Sequence, residues 1–350
     1  MRIRLLLLAF LFSLLSTSIA TAQRRNRLEL GSPAPVIYAT WVKGEFNSSD
    51  IEDAVYIVEF WATWCAPCRR SIPHLTKLQE EYGEDGLTIF GISTDQNQDL
   101  VKPFVKRQGM KMGYTVGIDD NNRTKRGWMD AAGLKGIPAV FIVDRNGIIQ
   151  YIGNPLNADF DDVIELVMAG RYDLKKQAEA APSIRAANSF RSGNSWAEAQ
   201  KAYENAIEID KMVFAELYID LIKMLLTDKN DPTAAYAYIG EVITNRGSDD
   251  PELLTWIARY IAEDEDIPEQ NRRMDVAMDA AKAALSFATR KTDPKYLSTI
   301  AFVHFNNDNI DKAIEWQRKA YYSARQSNKI EYKKDLVSYR TRKQRVNAGE

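Results

Sequence analysis

Only two cysteines occur in the 350-residue chain, and they stand in one short segment, Cys65–Ala66–Pro67–Cys68. Sulfur at that spacing admits three chemistries: half of a zinc site, a structural disulfide, or a redox pair. Zinc takes four ligands, typically Cys or His. The only two histidines, His74 and His304, fall in different predicted halves of the chain. A structural disulfide stabilises mainly by closing a long loop, and this pair closes almost nothing. Dithiol–disulfide exchange remains, with no metal and no cofactor. The first cysteine of such a pair, Cys65, is expected to be the exposed one that attacks a substrate disulfide. Cys68, one turn further in, then displaces the mixed disulfide.

The neighbouring elements must hold those sulfurs. Val55 to Trp61 is β-branched and aromatic and predicts a buried strand. Immediately after the cysteines, Ile72, Leu75, Leu78 and Tyr82 recur at helical spacing until Gly83 stops them. The pair therefore opens a helix, where unpaired backbone N–H groups and the positive end of the helix dipole favour thiolate over thiol. Pro67 has no N–H to lose, which costs little near a helix start. Downstream, Leu87 to Ser93 predicts a strand, Asp99 to Gln108 a helix, and Asn122 to Ala132 a shorter helix ending at Gly133. The strands Ala139 to Val143 and Ile148 to Ile152 flank an Asp144–Arg145–Asn146–Gly147 turn, and Asp159 to Ala169 predicts a helix. Strands alternating with helices, the last two strands antiparallel, define an α/β layer fold.

With these elements in place, Phe60–Trp61–Ala62–Thr63–Trp64–Cys65–Ala66–Pro67–Cys68 resembles the active site of thioredoxin-like proteins. Leu134–Lys135–Gly136–Ile137–Pro138–Ala139 resembles their second landmark. With Gly31–x–Pro33–Ala34–Pro35 ahead of them, the two motifs are most similar to the TlpA/ResA-like reductases, over roughly residues 30–170. The resemblance implies a central mixed sheet flanked by helices. It also implies a cis proline at Pro138 beside the cysteines, with the Ile137 backbone and the side chains of Trp64 and Pro67 meeting an extended substrate; a trans proline that merely starts a strand is the plain alternative. Glu59 stands where thioredoxins carry a buried aspartate. Alternation puts it on one strand face with Ile57 and Trp61, where burial would raise its pKa and let it take the Cys68 proton. A solvent-facing Glu59 on an edge strand, or one paired with a lysine, is the other reading. ResA-like reductases carry a glutamate three residues after the second cysteine, and here that position is Ser71. Peroxiredoxins want a Pro and a Thr or Ser where this chain has Val58 and Ala62, which argues against that chemistry.

Past residue 171 strand-like runs vanish and alanine becomes frequent. Ala199–x3–Tyr203–x2–Ala206 is echoed at Ala235/Ile239/Val242, Ala277/Ala281/Ala284 and Ala313/Gln317/Ala320. The intervals between their first alanines are about 36 to 42 residues, in the range of helical-hairpin repeats. Small residues along one helix face let a second helix approach closely. Residues 183–325 are therefore expected to form an all-α, tetratricopeptide-like domain of helical hairpins, with an irregular helical bundle as the alternative. Residues 326–350 form a basic terminal helix or tail.

Residues 1–22 read as an export signal: Arg2 and Arg4, an apolar run from Leu5 to Leu15, then Ala20–Thr21–Ala22. A retained anchor is the other reading of that segment. The formal net charge is −2, with no basic face to suit nucleic acid. The expected protein is a periplasmic thiol–disulfide oxidoreductase biased toward reduction, with protein disulfides as substrates and a membrane-bound electron donor. The helical repeats are expected to hold a peptide or protein. An interaction protein whose helical half binds a partner, with the thioredoxin-like half docking or sensing redox state, is the alternative.

Overall fold

Strand β2 (Val55–Trp61) is buried along its whole length and forms the middle of the first unit. The computed structural model describes residues 27–47, 51–247, 249–326 and 328–348, so the expected export segment lies outside the described residues. Two compact units meet in sequence at Lys175 and Lys176.

In the first unit β2 pairs in parallel with β3 (Leu87–Ser93) and antiparallel with β5 (Ala139–Val143). Strands β1 (Ala39–Lys43), β4 (Thr115–Asp119) and β6 (Ile149–Gly153) complete a mixed six-stranded sheet of order β1-β4-β3-β2-β5-β6. Helices α1 (Ala66–Tyr82), α2 (Val101–Gln108), α3 (Arg123–Lys125) and α4 (Phe160–Met168) follow in chain order. This is the thioredoxin-like arrangement. Period-two alternation divides β2 cleanly. Ile57 and Trp61 join the core that holds both cysteines and Ile72 of α1, while Tyr56, Val58 and Phe60 join a second core with Phe90 and Phe141.

The expected β5–β6 turn is present. Asp144 accepts from the backbone N–H of Asn146 and Ile148, and Gly147 takes a positive φ of 73°. The expected helix from Asn122 to Ala132 differs in kind. Only Arg123–Lys125 is α-helical, and Arg126–Asp130 widens into a π-turn closed by Ala131 N–H to the Arg126 carbonyl. Strand β4 has no counterpart among the expected elements. Its middle residue, Gly117, lies so near Trp41 and Ala39 that a Cβ would meet Ala39 at 2.8 Å.

Gly91 of β3 sits opposite Glu59 and clears space over it. A Cβ there would fall 2.8 Å from the Tyr114 ring and 3.3 Å from Trp61 Nε1. Gly91→Ala should therefore destabilise the chain by about 1–3 kcal/mol through overpacking, read as a lower urea midpoint. An unchanged midpoint would mean that Tyr114 does not pack against that backbone.

From Lys176 onward the described residues contain helices and no strand. Helices α5 (Leu174–Ser192), α6 (Trp196–Ile207), α7 (Glu216–Lys223), α8 (Pro232–Glu241), α9 (Pro251–Glu263), α10 (Met274–Phe287), α11 (Pro294–Asn306), α12 (Ile310–Ser323) and α13 (Lys329–Ala348) follow one another. Helices α8, α9 and α11 start alike. Asp231, Asp250 and Asp293 each accept from a first-turn N–H, and a proline follows where no N–H is needed. The echoed small-residue positions fall on α6, on α8 and its extension, on α10 and on α12, and every one of them is buried. Gln317, the polar member, is satisfied by the Ser298 hydroxyl at 2.9 Å and the Tyr332 carbonyl at 3.1 Å. No helix among the described residues is long and apolar enough to cross a membrane.

Candidate active site

Cys65 is the N-cap of α1, in extended backbone, and Pro67 occupies the helix's first turn. Its Sγ accepts from the Cys68 N–H at 3.2 Å and is bonded to Cys68 Sγ in a disulfide of 2.04 Å. An N-cap acceptor satisfies one of the donors that a helix start leaves unpaired. The same donor stabilises the Cys65 thiolate once the disulfide opens. The Ile137–Pro138 bond is cis, and the Ile137 carbonyl lies 3.7 Å from Cys65 Sγ. A disulfide sulfur has no proton to give, so that approach is a contact here and becomes a hydrogen bond only in the dithiol form.

Cys65 is less open than the sequence suggests. It is 3% exposed and Cys68 is fully buried, so the two differ by little. The disulfide and the Ile137 carbonyl cover the sulfur, while the neighbouring Trp64 projects into solvent, 69% exposed. Pro67 and Ile137 are half-buried and Pro138 is buried.

Glu59 is wholly buried, on the central strand of the sheet, so neither the edge-strand nor the lysine-paired reading holds. Tyr114 donates to its Oε2 at 2.9 Å and Ser71 lies 3.0 Å from its Oε1. Burial pushes the carboxyl from its ordinary 4.5 up to about 7, against the two hydroxyls, which pull it down. Tyr114 is itself driven well above the usual phenol range by burial and by the adjacent carboxylate. Ser71 also lies 2.9 Å from the Cys68 carbonyl, and its single proton cannot serve both acceptors at full strength. Protonating Glu59 resolves the competition: the carboxylic acid donates to Ser71, and Ser71 donates to Cys68. The serine that replaces the ResA-like glutamate thus links Glu59 to the backbone of the second cysteine.

Two residues of this neighbourhood were not singled out from sequence. Tyr114 precedes the unexpected strand β4 and reaches Glu59 across 55 positions. Asp95, just beyond β3, accepts from the Thr63 N–H at 2.8 Å, the Thr63 hydroxyl at 2.7 Å and the Ser93 hydroxyl at 2.8 Å. It thereby ties the end of β3 to Thr63, two residues before Cys65. The signal for it was Ser93–Thr94–Asp95 at the end of a predicted strand, a run that favours turns. His74 lies on α1 away from the sulfurs, 2.8 Å from Asp161.

A helix-capping Cys-x-x-Cys facing a cis proline over a mixed sheet defines a thioredoxin-like dithiol site. The AhpC/TSA family model matches residues 30–152. The thiol:disulfide interchange protein HelX of Rhodobacter capsulatus is 32% identical over 146 residues, 41% of this chain and 77% of that protein. The thiol–disulfide oxidoreductase ResA of Bacillus thuringiensis is 25% identical over 146 residues, 41% of this chain and 81% of that protein. The crystal structure of a thioredoxin-family thiol:disulfide interchange protein from Chlorobium tepidum is 31% identical. It covers 40% of this chain and 99% of its own, with a TM-score of 0.35. The chain belongs to the family of thioredoxin-like thiol–disulfide oxidoreductases.

Proposed function

We propose that this oxidoreductase is exported to the periplasm and reduces protein disulfides by a Cys65–Cys68 dithiol cycle. The observation that carries the reading is the Cys65 sulfur at the start of α1, held by the Cys68 N–H and bonded to Cys68. In the dithiol form the Cys65 thiolate attacks one sulfur of a client disulfide, and the other client sulfur leaves as a thiolate that takes a proton from water. Cys68 then passes its proton to Glu59 and attacks Cys65, which releases the second client thiolate and closes the protein disulfide. Two electrons pass to the client. A membrane-bound dithiol donor returns them, and Glu59 gives up its proton as Cys68 is reprotonated. Ile137, Pro138, Trp64 and Pro67 meet the client beside Cys65.

The bias toward reduction rests on Ala66 and Pro67. Neither side chain brings a charge or a donor to the Cys65 sulfur, and extra thiolate stabilisation is what makes such a pair oxidising. Residues 183–325 act as a tetratricopeptide-like array that holds a peptide or protein. In their favour stand the buried small-residue faces and a groove of about 760 Å³ lined by Leu285, Leu297, Ile314 and Trp316. A chain in which that array is the working part, and the redox pair only senses, is the second reading.

Reduced protein mixed with excess insulin, without a donor, tests the cycle. Each chain should lose two thiols while one insulin disulfide opens into two. A chain whose thiol content stays unchanged while insulin is present in excess is not a reductase.

A further inference from the structure

A groove of about 790 Å³ has in its wall Trp64, the residue before Cys65, and Ile137, whose carbonyl meets the Cys65 sulfur. Five of its lining residues are ionisable: Asp95, Lys125, Arg126, Asp130 and Lys135. The two acids are already committed. Asp95 is buried and accepts from Thr63 and Ser93, and Asp130 holds Lys125 at 2.5 Å. Arg126 and Lys135 are both exposed, and neither has a carboxylate partner among the described residues. Lys135 stands two residues before Ile137, whose carbonyl meets the Cys65 sulfur, and Arg126, which opens the π-turn, lines the same groove. Apolar surface is exposed in the same groove at Trp64 and at Leu100, which is 51% exposed. Arg69 and Arg70, directly after Cys68, are exposed as well.

Unpaired cations beside an apolar wall fit a polypeptide carrying carboxylates and an apolar side chain near its disulfide. Charge of one sign along a groove raises the local concentration of opposite charge and speeds encounter. We propose that the groove bordered by Arg126 and Lys135 selects clients whose disulfide is flanked by acidic residues. This rests on the reductase reading, and it adds the chemistry of the client.

Two peptides of equal length, each with one intrachain disulfide and an apolar residue beside it, form the test. One carries Glu at its flanks, the other Lys. With the reduced full chain at low salt, the acidic peptide should be reduced about tenfold faster, an effect within the range of electrostatic steering. The preference should shrink toward unity at 0.5 M salt, as screening requires. It should invert in Arg126→Glu/Lys135→Glu and weaken in the milder Lys135→Gln. Equal rates for the two peptides at low salt overturn the inference and leave the reductase reading standing. Glutathione disulfide reduced as fast as the acidic peptide overturns the assignment to a polypeptide client. Failure to reduce either peptide sinks the reductase reading itself, and the inference with it.

Discussion

Cys65→Ser should abolish disulfide exchange, a loss of roughly a thousandfold or more, as expected when a nucleophile is removed. Cys68→Ala should do something different: attack proceeds, and the chain stops as a mixed disulfide with its client. The asymmetry follows from position. The Cys65 sulfur is the one that accepts the helix-start N–H and meets the Ile137 carbonyl, whereas Cys68 is fully buried beneath it. Non-reducing gels and mass spectrometry of the Cys68→Ala protein should find the client bonded to Cys65. Adducts on Cys68 in the Cys65→Ser protein, at comparable yield, would reverse the assigned order. The two sulfurs differ little in exposure, so their order rests on the N–H and the carbonyl that meet Cys65.

The parts of this site that were legible in sequence are those whose partners lie close along the chain. Cys65, Pro67 and Cys68 announce a helix start through local chemistry, and β2 announces burial through its run of β-branched and aromatic residues. Alternation correctly placed Glu59 on the face of Ile57 and Trp61. The helical half was legible through its alanines, because small residues at fixed spacing exist to let helices approach. What stayed hidden depends on distant segments. Gly117 and Gly91 are glycines because Trp41 and Tyr114 press on them, so the residue that spoils the strand pattern at β4 is dictated by tertiary packing. Ser71 looked like a missing glutamate. Only the fold shows its hydroxyl against Glu59. The π-turn at Arg126–Asp130 likewise hides inside a pattern that reads as ordinary helix, since a single wide turn is too short to show a change of period.

Glu59→Gln should stabilise the chain at alkaline pH and slow the resolving step. The sign of the first effect follows from linkage. Glu59 is raised from 4.5 to about 7 in the folded chain, so between those values the folded state binds more protons than the unfolded one. Stability from this group is therefore complete below about pH 4.5 and is lost as pH rises through 7. The gap corresponds to roughly 3 kcal/mol at pH 8, at about 1.4 kcal/mol per tenfold. Glutamine cannot ionise and escapes that loss. Urea unfolding of the oxidised proteins should show Glu59→Gln more stable at pH 8 and equal to the parent near pH 4.

The second effect separates a base from a merely awkward buried acid. If Glu59 takes the Cys68 proton, the decay of the mixed disulfide should accelerate as pH passes about 7 and then level off. Glu59→Gln should lose that break and slow by on the order of a hundredfold near neutrality, within the usual range for a positioned base. Ser71→Ala and Tyr114→Phe each remove a hydroxyl that lowers the carboxyl's pKa, so their breaks should move to more alkaline pH while Glu59 stays in place. A stabilised Glu59→Gln protein that keeps the break near 7 would show that another group takes the proton. The stability and rate measurements then part company, because burial alone predicts the first and only proton transfer predicts the second.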